Sequence, residues 1–94
     1  MKINTKTEIK NFDDKPIKNG DETLTVGYAI ASILYNDAKP DDAVRNHFFA
    51  GEFFKKKEVE LNKSDAELAK KAVERSTYIA GAKGQLIELL SSDK

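Results

Sequence analysis

Apolar residues recur at helical spacing along much of this chain and alternate with polar ones in two short stretches. Val26, Ala29, Ile30, Ile33 and Leu34 fall at i, i+3, i+4, i+7 and i+8, one stripe of an amphipathic helix over residues 25–36. Thr25 or Thr23 is placed to cap it, and Asn36-Asp37 ends it. A second helix is predicted over 40–56. Pro40 suits its first turn, where a missing N–H costs nothing, and Asp41 and Asp42 complement the positive end of the helix dipole. Its apolar residues, Ala43, Val44, Phe48, Phe49, Ala50, Phe53 and Phe54, surround the whole axis. Such a helix is either central or shows part of its aromatic surface to a partner.

Ser64-Asp65-Ala66-Glu67 matches a capping box, and Leu68, Ala69, Ala72 and Val73 line one face of a third helix over 64–76. Ser76-Thr77 breaks it. A fourth helix over 77–90 carries Ile79, Ala82, Leu86, Leu89 and Leu90 on one side, and Ser91 to Lys94 reads as a frayed tail.

Strand-like alternation occurs in Glu8-Ile9-Lys10-Asn11-Phe12 and in Glu58-Val59-Glu60-Leu61. The turn signals Asp13-Asp14-Lys15-Pro16 and Lys18-Asn19-Gly20-Asp21 make residues 1–22 a polar hairpin or arm, with Asn-Gly suited to positive φ. A lone hairpin is marginal in water and must pack on the helices. The expected fold is therefore α+β and mostly helical. About four helices accompany a minor two- or three-stranded antiparallel sheet or hairpin from residues 8–18 and 58–61, in a single domain spanning 1–94. No repeat, linker or low-complexity segment is visible.

Length narrows the function. A chain of 94 residues buries roughly 60–68% of its unfolded surface, enough for one modest core. A deep substrate cavity would compete with that core for the same side chains. Sixteen Lys and Arg balance sixteen Asp and Glu, without the basic surplus that strong nucleic-acid binders show. The absence of Cys excludes disulfides and Cys-ligated metals, and one His makes no His-rich metal site. The N-terminal residues have no apolar run behind them, so no signal peptide is expected, and no stretch approaches the length of a membrane span. The cytoplasm is the expected compartment.

Candidate chemistry is sparse. His47 is the only natural general base near neutral pH, beside Asn46 and Phe48, and is expected to be a surface or half-buried structural residue. Asp37, Asp41 and Asp42 lack the acid spacing and central Gly of a calcium loop, and helix-start charge placement accounts for them. No Gly-x-Ser-x-Gly elbow, His-Glu-x-x-His helix or Walker loop is present, and no cofactor is expected.

Two surfaces remain. The all-round apolar helix offers Phe49, Phe53 and Phe54 as candidate partner-binding residues. Phe48, nearest Val44 on the helical wheel, is expected in the core, whereas Phe54 lies far round from it. The alternative is a nucleic-acid contact through Lys55, Lys56, Lys57 and Lys83, the first three beside aromatics that would stack bases. The stretch Ile79-Ala80-Gly81-Ala82-Lys83-Gly84-Gln85-Leu86-Ile87 resembles the Gly-x-x-Gly loop of the K-homology RNA-binding fold, which clamps a nucleic-acid backbone between two helices. Close helix packing by these small residues is the other reading.

Four short motifs carry a wider likeness: the Asp14-Lys15-Pro16-Ile17 turn, the helix start Leu24-Thr25-Val26, Glu58-Val59-Glu60-Leu61 before a capped helix, and the ending Gly84-Gln85-Leu86-Ile87-Glu88-Leu89-Leu90. In that order, over most of the chain, the layout resembles a group of small phage and prophage proteins with no established activity. The resemblance implies a phage-encoded protein working in the bacterial cytoplasm and supplies no catalytic or ligand residues. The function expected is non-enzymatic binding of a host or phage protein, as an assembly factor or a modulator, with homo-oligomerisation open and no membrane or nucleic acid required.

Overall fold

The structure is a computed structural model and describes residues 1–78 and 80–91. Among these residues the elements run β1 (Lys2–Asn4), β2 (Lys18–Asn19), β3 (Glu22–Thr23), α1 (Val26–Tyr35), α2 (Ala43–Lys55), β4 (Glu58–Glu60), α3 (Lys63–Arg75) and α4 (Ala80–Leu90). The fold is α+β and mostly helical, with four helices and two small antiparallel strand pairs. Ile79, expected on the apolar side of the last helix, and residues 92–94 of the expected tail lie outside the described residues.

The helix α1 is central, packed on α2 along one side and on α3 along another, and α4 packs on α3. Its sequence stripe is its buried face: Val26, Ala29, Ile30, Ile33 and Leu34 are all in the core. The Thr25 side chain caps it by accepting from Tyr28 N at 3.2 Å. The pair α1–α2 is antiparallel, since Gly27 lies against Phe53 at one end and Asn46 Nδ2 donates to the Leu34 carbonyl at the other (3.0 Å).

The strand Glu58–Glu60 forms as expected but takes a different partner. It pairs with Lys2–Asn4, not with residues 8–12, in a register that sets Ile3 opposite Val59 and Lys2 opposite Glu60. Ile3 and Val59 are both buried, so this register puts two apolar side chains into the core and two opposite charges outside. Ile9 is buried too, but its backbone serves the N-terminal arm. Ile9 N donates to Leu24 O (3.0 Å), Ile17 N to Ile9 O (2.9 Å) and Leu24 N to Ile17 O (2.7 Å). The expected hairpin closes at Gly20, whose φ of 70° is the left-handed conformation the Asn-Gly signal anticipates. Phe12 sits at the turn and is exposed, out of phase with Ile9.

Two helix starts differ from expectation. The second helix, expected over 40–56 with Pro40 in its first turn, begins at Ala43, so Pro40 precedes it, and Asp42 is its N-cap, accepting from Arg45 N at 3.2 Å. The third begins one residue before Ser64. Asn62 is the cap, accepting from Asp65 N at 2.8 Å, while the Asp65 carboxylate accepts from Asn62 N at 3.4 Å. Both Asn62-x-x-Asp65 and Ser64-x-x-Glu67 fit the capping pattern. With the earlier start Asp65 is the third helical residue, where its carboxylate reaches back to Asn62 N and also meets the Arg45 guanidinium. Leu61, buried just before the cap, and Ala66, in the fourth helical position, both belong to the core and occupy the positions of a hydrophobic staple.

Candidate functional site: an aromatic groove between the first two helices

The outer face of the α1–α2 pair is apolar and uncovered. On α1, Tyr28, Ala31, Ser32 and Tyr35 repeat at i, i+3, i+4 and i+7, a second stripe beside the core stripe. On α2, Val44, His47, Phe48, Gly51 and Phe54 occupy the facing turns. Between them runs a groove of about 770 Å³ whose floor is made of the small residues Ala31, Ala50 and Gly51. Its walls are four aromatic rings and one valine and stay in solvent: Tyr28 is 45% exposed, Tyr35 69%, Val44 79%, Phe48 57% and Phe54 69%.

The walls have some internal order. The Phe48 and Phe49 rings meet edge to face with centroids 5.1 Å apart, and the Tyr35 and His47 rings lie tilted at 6.3 Å. The polar groups of the groove are Ser32, Asn36, His47, Glu52 and Lys55, and Glu52 pairs with Lys56 at 2.8 Å.

The four phenylalanines of α2 divide differently from the sequence expectation. Phe53, expected to face a partner, is 1% exposed and is the largest fully buried side chain, packed under α1. Phe48, expected in the core, stands in the groove wall. Phe49 is half-buried against the core, and Phe54 is exposed as expected. The reason is the direction from which α1 approaches. It meets α2 along Asn46, Ala50 and Phe53, which repeat at i, i+4 and i+7, and not along Val44 and Phe48. Helical-wheel distance from Val44 says nothing of this when Val44 itself is exposed. Sequence reasoning missed Tyr28 and Tyr35, although their i, i+7 spacing with Ala31 and Ser32 between them was legible.

The candidate cations do not converge. Lys55, Lys56 and Lys57 are exposed at the end of α2, where Lys56 is engaged by Glu52. Lys83 is elsewhere, its ammonium donating to the carbonyls of Glu74 (2.9 Å) and Ser76 (3.1 Å) at the end of α3. It caps that helix. Gly81 and Gly84 lie inside α4, so the backbone there is helical and no Gly-x-x-Gly loop joins two helices. Nor do they mediate close packing, since a Cβ at either would meet no heavy atom within 4 Å. The small residue of this stretch that is buried is Ala82.

The acids around Pro40 have a structural partner rather than only a helix end. Asp37 accepts from Arg75 at 2.7 Å and 3.3 Å and from Lys39 N at 3.1 Å, and Asp41 lies 3.9 Å from the same guanidinium. The Arg75 guanidinium holds the Asp37 carboxyl below the usual carboxylate range. Among the described residues no cluster of three or more acids and histidines is placed to hold a metal ion, and no helix is long and apolar enough to cross a membrane. No family model, curated protein or solved structure matches the chain.

Proposed function

We propose that this chain is a non-catalytic protein-binding module whose working surface is the α1–α2 groove. The observation that carries the reading is the exposure of Tyr28, Tyr35, Val44, Phe48 and Phe54 on one face. An isolated protein gains nothing by holding five large apolar side chains together in water, whereas an interface uses rigid aromatics around a small-residue floor as anchors. The short-motif likeness to phage and prophage proteins supports a phage-encoded factor of the bacterial cytoplasm, acting in assembly or on a host protein.

The test is site-specific photo-crosslinking in cells. A crosslinking amino acid at Phe54 or Tyr35 is expected to trap a discrete protein adduct, and one at exposed Lys71 on α3 none. Equal labelling from all three positions, or none, overturns the reading. Salt separates it from the nucleic-acid alternative. Capture through apolar contact persists from low to high salt, while phosphate binding by Lys55, Lys56 and Lys57 falls steeply.

A further inference from the structure

We infer that the occupant of the α1–α2 groove is a second copy of this chain, seated by a two-fold axis so that two antiparallel helix pairs form a four-helix layer. The inference rests on the reading of this face as a protein-binding surface and names the partner.

Three observations point to self-association. The face carries both halves of a fit: protruding rings at Tyr35, Phe48 and Phe54, and between them a floor of Ala31, Ala50 and Gly51 low enough to receive them. A two-fold contact requires this self-complementarity, because the same patch supplies knob and hole. The area is of the right order. From their exposures, and with about 150–250 Å² for each aromatic side chain, the four aromatic wall residues and Val44 leave on the order of 600 Å² per chain in water. That is three quarters of the about 800 Å² per partner of a standard interface.

Charge agrees. A partner selected by charge would meet a one-signed rim. This groove has one carboxylate, Glu52, one lysine, Lys55, and one histidine, His47, on a chain of zero formal net charge, so the rim is not one-signed.

Gly51 gives a clean test. A Cβ there meets nothing within 4 Å in the monomer, and replacing a helical glycine favours the helix, but a longer side chain projects into the groove. Sedimentation velocity over about 1–300 µM is expected to show the wild type doubling in mass, with a Kd of about 1–100 µM. Gly51→Glu is expected to stay monomeric at every concentration while melting at or above the wild-type temperature. Phe54→Glu is expected to raise the Kd at least tenfold with little change in melting. A wild type that remains monomeric throughout overturns the dimer. The binding-module reading then stands or falls separately, on whether Phe54 crosslinks to a different protein. A dimer untouched by Gly51→Glu and Phe54→Glu uses another face and equally overturns the inference.

Discussion

Among the glycines, Gly27 is the one whose surroundings leave no room for a side chain. A Cβ there would lie 2.6 Å from Thr5 Cβ, 2.7 Å from the Phe53 carbonyl oxygen and 2.9 Å from that of Thr5. Two of the three are backbone atoms and cannot swing aside. Gly27→Ala is therefore expected to lose about 2–3 kcal/mol by overpacking, despite alanine's better helix propensity, measured as a shift in the denaturant midpoint. The phenylalanines give a second contrast. Phe53→Ala opens the core and is expected to cost about 3–5 kcal/mol. Phe48→Ala removes an exposed ring and should leave stability within about 0.5 kcal/mol. Equal losses in paired melts would contradict this division of α2. The residue scale was the least legible in sequence. Nothing in the order of Phe48, Phe49, Phe53 and Phe54 states from which side α1 will come, and that direction alone decides which ring is core.

Elements were easier to read, because their signals are local. The α1 stripe, the Thr25 cap, the Gly20 turn and the break at Ser76 all depend on residues within a few positions of one another. Strand partnership is not local. Glu58–Glu60 reads as a strand from its own alternation, but its partner is set by which apolar residue reaches Val59, and Ile3 does so from 56 positions earlier. Helix starts fall between these cases, as α3 illustrates with two overlapping capping patterns. Asn62→Ala is expected to cost about 1 kcal/mol, within the usual range for an N-cap, and Ser64→Ala a few tenths. Chemical denaturation of both variants checks this, and the reverse order would return the cap to Ser64.

Across the whole molecule, the Asp37–Arg75 pair ties the loop after α1 to the last residue of α3, with Asp41 at the edge of the same guanidinium. The Asp37 side chain is only 3% exposed. Its carboxyl is held below the ordinary range chiefly by the Arg75 hydrogen bond, against the opposing effect of burial. A carboxyl whose folded pKa is depressed binds protons more readily in the unfolded chain. Its contribution to stability is thus complete above the unfolded value of about 3.9 and is lost as pH falls below it, through the folded pKa. Melts between pH 7 and pH 2.5 should show the wild type losing stability below about pH 4. Asp37→Asn should start less stable at pH 7 and lose less on acidification. Parallel curves for the two proteins would assign the acid response to other carboxylates. The groove is also a property of this scale, since its walls come from two helices and its floor from both. Half of it was legible in α2 as an excess of aromatics, and the other half only once the second stripe of α1 is seen to have no neighbour.

The pairing of β1 with β4 has a consequence in time. Residues 2–4 are synthesised well before their partners at 58–60, which follow after about 3–10 s at ordinary elongation rates. Throughout that interval Ile3 has no strand beside it. The α1–α2 hairpin, built from contacts close in sequence, is able to form earlier. Thr5, which accepts from Gly27 N at 3.0 Å and donates its hydroxyl to the Lys56 and Lys57 carbonyls just after α2, fills the space beside Gly27. Residues 2–5 are thus made well before the strand they pair with, and the absence of a side chain at Gly27 leaves the space that Thr5 fills.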